Sequence, residues 1–422
     1  MKDREATLTG DQPSSDVELH AGRKRRLFGC ITVIAGLVFG LIFVEIGLRV
    51  AGYSSPEFYM ADNVCGYSLI PDMTGWYKKE GRNFVAINRD GFRDIERSLR
   101  KPEGTVRIAV IGDSYVEAFQ VSRDEMFTNF VSDEIERCGA MDGKKVEILN
   151  FGVSGYGTAQ ELLVLREKVW KYSPDFVMLV MTTNNDITDN SRIFRKTPIP
   201  YFIYRDNALV LDDGFRNEKT FMFRNSALGK TGIWFKNHLR IIQLIGEIQT
   251  GLKYRYEAWK NKNNAKSSVA QAGELPPPAT EVGIDSQVYR EPSDENWKDA
   301  WHVTEGIIDL FKTETDEKGA HLVVVTASNG VQVLPNVDQR EGFARLLGVE
   351  DLFYPDRRIA DFCTKNNIPV ISLAPILADY AARKKVNLHG FEGNIGYGHW
   401  NQLGHRVAGE TVGKQLCGGV LR

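Results

Sequence analysis

Cysteine is sparse in this chain of 422 residues. The five present, at positions 30, 65, 138, 363 and 417, form no C-x-x-C pair and no zinc-ligand spacing. A metal site built on thiolates and a dense disulfide scaffold are both excluded. One disulfide is possible if the main domain is exported, with the pair left open. Neither sign of charge dominates: 53 Lys and Arg against 55 Asp and Glu leave a formal net charge of −2. There is no basic footprint for nucleic acid, so no nucleic-acid partner is expected. No internal repeat is present. Apolar residues at 42% and charged residues at 26% are an ordinary globular balance, and the length suffices for a sizeable core.

Long hydrophobic runs are absent except for one. Leu27–Val44 is eighteen residues without a charge, about the minimum for a spanning helix. It follows the cationic cluster Arg23, Lys24, Arg25 and Arg26, and Glu45 and Arg49 stand at its far end. Cations on the N-terminal flank predict a cytoplasmic N-terminus and a main domain in a periplasm or its equivalent. A cleaved signal peptide is the rival reading. No clear A-x-A site follows the run, which favours an uncleaved single-pass anchor over residues 27–50. Residues 1–22 are polar and read as a disordered tail, so 1–26 is the expected cytoplasmic portion. Residues 51–104 form a membrane-proximal segment whose Asn88-Arg89-Asp90-Gly91 reads as a turn packed against the main domain.

From residue 105 onward, short apolar runs alternate with helical patterns. Arg107–Ile111, Val146–Asn150, Phe176–Met181, Leu322–Thr326 and Val370–Leu373 read as strands. Glu125–Arg137, Ala159–Tyr172, Asp299–Lys318, Pro355–Asn366 and a final Asn401–Leu416 read as helices. Such alternation implies an α/β fold, a three-layer α/β/α flavodoxin-like sandwich around a central parallel five-stranded sheet. Right-handed crossovers would bring the carboxyl ends of the strands to one edge. Residues 190–298 exceed what one crossover needs and read as an insertion. Within it Ile233–Trp259 has apolar residues at helical spacing and is expected to pack on the domain; Asn261–Gly283 is polar, contains Pro276-Pro277-Pro278, and reads as a flexible loop.

The strand ends carry the chemistry. Gly112-Asp113-Ser114 ends the first strand, where a hydroxyl can face a cleft. Alone, the tripeptide reads first as a strand-ending turn with Asp-Ser turn chemistry. The second strand runs into Asn150-Phe151-Gly152-Val153-Ser154-Gly155, whose glycines permit close backbone approach. The third runs into Thr183-Asn184-Asn185-Asp186, with an amide at the same edge. His399 lies in Gly398-His399-Trp400, just ahead of the last helix.

Serine, glycine, asparagine and histidine in this order, at the ends of successive core elements, resemble the four blocks of the SGNH (GDSL-type) hydrolases. The likeness covers roughly residues 105–190 and 320–418. The anchor and the N-R-D-G-F-R-D segment resemble membrane-anchored members associated with envelope or exopolysaccharide functions. The resemblance implies a serine esterase or deacylase acting on an acyl ester or O-acylated glycan. Ser114 would be the nucleophile and His399 the base. The Ser114 N–H, the Gly155 N–H and the Asn185 amide would bind the oxyanion. It implies no cofactor and no metal. An O-acyltransferase using the same serine, and a non-catalytic glycan-binding or assembly component, are the alternatives. The G-x-S-x-G elbow is absent, because Val116 occupies the second glycine position. Thr183 stands where the third block usually has glycine. A larger departure is at Gly396, where the family's D-x-x-H acid would lie. Either a Ser–His dyad suffices, or a carboxylate from elsewhere substitutes, Glu392 and Asp379 being the nearest upstream, or catalysis is lost. His405, His389 and His321 read as structural or surface residues, Asp186 as a brace for the asparagine loop, and Trp400 as packing or substrate stacking.

Overall fold

The computed structural model describes residues 15–252, 256 and 284–421. In chain order, α1 spans Ser15–Val50. Two antiparallel hairpins follow, β1 (Tyr59–Asp62) with β2 (Gly66–Leu69) and β3 (Thr74–Tyr77) with β4 (Asn83–Ala86). Next come β5 (Thr105–Gly112), α2 (Ser114–Glu117), α3 (Phe127–Cys138), β6 (Lys145–Gly152), α4 (Thr158–Glu167), β7 (Phe176–Thr182) and α5 (Asn185–Thr188). A third hairpin, β8 (Tyr201–Arg205) with β9 (Ala208–Asp212), leads to α6 (Lys219–Asn225), α7 (Ala227–His238) and the helical residues 240–252, here α8. The chain closes with α9 (Glu295–Lys318), β10 (His321–Ala327), α10 (Val337–Leu347), α11 (Tyr354–Lys365), β11 (Val370–Ser372), α12 (Leu373–Lys384) and α13 (Gln402–Gln415).

The central sheet has the order β6-β5-β7-β10-β11 with every pairing parallel. This is the flavodoxin-like order, and its switch point lies beside β5. The strands are apolar on both sides because helices cover both sides. Alternation along them divides the core. Ala109, Ile111, Val177, Leu179 and Met181 pack with α4 and α9 on one face. Ile108, Val110, Met178 and Val180 pack with α3, α12 and α13 on the other. Phe58, Leu69, Val85, Ile87 and Phe92 of residues 51–104 join the first of these faces, so that segment is built into the domain.

Several expectations are revised. Helix begins at Ser15, within the stretch read as a disordered tail. Ile233–Trp259 is not one helix: α7 ends at His238, Leu239 is extended, and α8 starts again at 240. The proposed loop Asn261–Gly283 lies outside the described residues. The hairpins and helices α10 and α12 have no counterpart among the expected elements. Cys138 at the end of α3 and Cys417 just after α13 form a disulfide across 279 positions.

Candidate active site

Ser114 opens the one-turn helix α2 directly after β5. Gly112 is required there, since a Cβ would stand 2.4 Å from Val116 Cγ2 and 2.8 Å from the Val180 carbonyl. Asp113 caps the turn by accepting from the Tyr115 N–H at 3.0 Å. Its other oxygen accepts from Asn185 Nδ2 at 3.1 Å, which holds the amide beside the serine turn. Asp113 is fully buried; burial pushes its carboxyl above the ordinary range, opposed by the bonds from Tyr115 and Asn185. Asn150 at the end of β6 donates to the Val116 carbonyl at 2.6 Å and accepts from Gly152 N–H at 2.8 Å, which locks the second-strand loop to α2. Gly155, with φ +72°, lies three residues further along that loop; its carbonyl accepts from Tyr67 and Arg195, each at 2.7 Å.

His399 brings its Nε2 to 2.8 Å from Ser114 Oγ, across 285 positions of sequence. Ser114, just after β5, thus meets His399, and Asn185, just after β7, is held to the same turn through Asp113. The carboxylate of the site comes from an unexpected place. Glu80, in the turn between β3 and β4, accepts from the His399 backbone N–H at 2.9 Å and hydrogen-bonds Nδ1 with its other oxygen. Gly398 (φ +77°) is needed for this approach, because a Cβ there would lie 2.3 Å from Glu80 Oε1. The turn is pinned in place: Asn83 donates to the Gln120 carbonyl, and Gly81 lies against the same carbonyl.

Glu392 is therefore not the partner of His399. It is exposed on the surface of the 390s loop. Asp379 is equally excluded, since it faces outward from α12 and pairs with Arg383 four residues on, a local contact between neighbours on one helix face. Both are near in sequence, but the fold delivers the acid from the far end of the chain. Only a carboxylate in an unremarkable hairpin turn, in a segment without hydrolase blocks, marks the position in sequence.

The electrostatics fit a neutral-to-charged imidazole. Burial alone would lower the His399 pKa, but the Glu80 hydrogen bond and charge outweigh it and hold the pKa above 6.5. Burial would raise Glu80, and the bonds from His399 keep its carboxyl below the ordinary value. A serine hydroxyl bonded to an imidazole oriented by a carboxylate can be deprotonated as it attacks a carbonyl carbon.

The surroundings are structural. His389 donates through Nδ1 to the Gly398 carbonyl at 2.6 Å and accepts from Ser328 Oγ at Nε2, and Ser328 accepts from the Trp400 indole at 2.9 Å. Burial pushes His389 down to about 4, so it stays neutral and fixes the loop bearing His399. Trp400 is fully buried, hence packing. Asp186 accepts from the Thr182 N–H and braces the asparagine loop. Arg93, from the Asn88–Asp94 stretch, is buried beneath α2 and donates to the carbonyls of Ala118 and Val121. Among the described residues no group of three or more His, Cys, Asp or Glu side chains could hold a metal ion.

No protein-family model and no curated protein sequence matches the chain. Solved structures do. An acetyl xylan esterase, AlAXEase, aligns at 12% identity and a TM-score of 0.38 over 74% of this chain and 100% of its own. A lipolytic protein of the G-D-S-L family from Desulfitobacterium hafniense aligns at 10% and 0.33, covering 73% and 98%. A catalytic mutant of an acetylxylan esterase from Geobacillus stearothermophilus aligns at 10% and 0.36, covering 74% and 94%.

Proposed function

We propose that the chain is a membrane-anchored serine hydrolase of ester bonds. The observation that carries this is the line Ser114–His399–Glu80, in which one imidazole is bonded to a hydroxyl on one side and a carboxylate on the other. Ser114 Oγ attacks the ester carbonyl while its proton passes to His399 Nε2. The imidazolium is stabilised by Glu80. The alkoxide leaves with that proton, and water then attacks the acyl-serine by the same route in reverse. The oxyanion is held by the N–H groups of Ser114 and Gly155 and by the Asn185 amide, each such donor being worth about 3–4 kcal/mol of barrier. Hydrolysis is the simpler reading, because water needs no second binding site; transfer to a sugar hydroxyl would use the same acyl-serine. A non-catalytic glycan-binding role rested on the absent acid, and with Glu80 on the imidazole it loses that ground.

The helix Arg25–Val50 is long and apolar enough to cross a membrane, and none of its most apolar window is buried against protein. With Arg25 and Arg26 on its N-terminal flank, the N-terminus is cytoplasmic and the hydrolase domain lies outside. The Cys138–Cys417 disulfide supports an oxidising compartment for that domain. An ester or O-acylated glycan of the envelope is the substrate class this placement favours. The test is hydrolysis of p-nitrophenyl acetate by the full chain in detergent, with Ser114→Ala as control. Loss of turnover in the variant is expected; equal rates would remove the serine mechanism.

A further inference from the structure

Helix α8 is turned the wrong way round for a soluble protein. Its polar residues Arg240, Gln243 and Glu247, three and four apart on one face, are the ones that hold it to the domain. Arg240 donates to Ser54 Oγ at 3.2 Å, Gln243 Oε1 accepts from the Ser55 N–H at 2.8 Å, and Glu247 bonds the Tyr53 hydroxyl and pairs with Lys78. The opposite stripe, Ile242, Ile245, Ile248 and Leu252, faces outward and is 37%, 49%, 52% and 60% exposed. Trp234 and Phe235 of α7 add large exposed rings just before it. An apolar stripe on a helix anchored by its polar face marks a contact surface.

The position of α8 says what covers it. Its first turn and the end of α7 are bonded to the end of α1: the Glu45 carboxylate accepts from the Ile241 N–H at 3.0 Å, and Arg49 donates to the carbonyl of His238, the last residue of α7. Glu45 is the first charge after the eighteen uncharged residues of the span. The apolar stripe therefore starts where α1 leaves the hydrocarbon, at the depth where interfacial helices lie and where Trp is enriched. The polar, proline-containing sequence 261–283 has no comparable apolar stripe to lay over it.

We infer that α7 and α8 lie on the bilayer as an interfacial amphipathic pair, with Ile242, Ile245, Ile248 and Leu252 in lipid. The inference rests on reading α1 as a membrane anchor. Because α8 grips Tyr53, Ser54, Ser55 and Lys78, it also ties the membrane surface to the segment that carries Glu80. The experiment uses the full chain with Cys30→Ser, bearing one bimane label at Ile248→Cys, at Phe39→Cys in the span, or at Ile395→Cys on the 390s loop. Each is reconstituted in phosphatidylethanolamine–phosphatidylglycerol vesicles with and without brominated acyl chains. Loss of most emission at 248 and 39, with none at 395, is expected. Quenching at 39 but not at 248 overturns the interfacial pair and leaves the anchor standing, whether a second copy or the 253–283 region shields the label instead. Quenching at 248 but not at 39 supports the surface and removes the anchor. Quenching at neither overturns both. As an independent check, Ile245→Glu with Ile248→Glu is expected to abolish quenching of a label at Leu252→Cys while circular dichroism stays unchanged; undiminished quenching there would count against the inference.

Discussion

The Glu80 carboxylate meets both the backbone N–H and Nδ1 of His399, although 319 positions separate the two residues. The expected consequence is that Glu80→Gln retains the fold and loses on the order of 10³–10⁴ in kcat, as when a triad acid is replaced by its amide. Glu392→Gln, which alters an exposed side chain, is expected to leave kcat unchanged. Steady-state hydrolysis of p-nitrophenyl acetate compares the two.

The pH profile follows from the same pair. His399 must be neutral to accept the serine proton, and its pKa is held above 6.5 by Glu80. Activity is therefore expected to rise with pH through a midpoint above 6.5 in kcat/KM. In Glu80→Gln the imidazolium loses its counter-charge, so the midpoint of the residual activity moves to lower pH. A midpoint that stays in place would separate Glu80 from the titration.

Glu117, three residues after Ser114, accepts from the Tyr59 hydroxyl at 2.9 Å and the Ser154 N–H at 3.0 Å. Burial pushes its carboxyl up to about 7 despite these bonds. The folded chain thus keeps a proton that the unfolded chain releases near 4.5. Stability from this group is full below that value and is lost as pH rises to about 7, on the order of 3 kcal/mol. Glu117→Gln cannot ionise. Its unfolding temperature is expected to gain on that of the wild type between about pH 5 and about pH 8, followed by calorimetry at each pH.

Arg93 explains part of the Asn88–Asp94 stretch. Its guanidinium fills the space beneath α2 and satisfies the carbonyls that end that turn. Arg93→Met removes the donor to the Val121 carbonyl and one of two donors to the Ala118 carbonyl, and a cost of about 3 kcal/mol is expected in thermal unfolding. Turnover at a temperature where the variant is folded is expected to fall as well, because the same turn carries Ser114.

The sheet was legible because its strands are continuous apolar runs, buried on both faces, and the Ser114–His399 pair because the one residue follows such a run and the other precedes a helix. Glu80 was not legible. Its placement depends on how a hairpin turn docks against the Ala118–Val121 loop, and no local pattern encodes a contact across 319 positions. The paired cysteines were hidden for the same reason. The insertion misled by its strength: apolar spacing over Ile233–Trp259 reads as a face for the core, whereas α8 binds by its polar face. Periodicity identifies an amphipathic helix without saying which side the protein keeps.

The most direct measurement is intact-mass analysis of the full chain after treatment with a fluorophosphonate. A single phosphonyl adduct, mapped to Ser114, absent in Ser114→Ala and formed far more slowly in Glu80→Gln and His399→Ala, is the expected result. An unmodified Ser114, or labelling at the same rate without His399 and Glu80, would contradict the account.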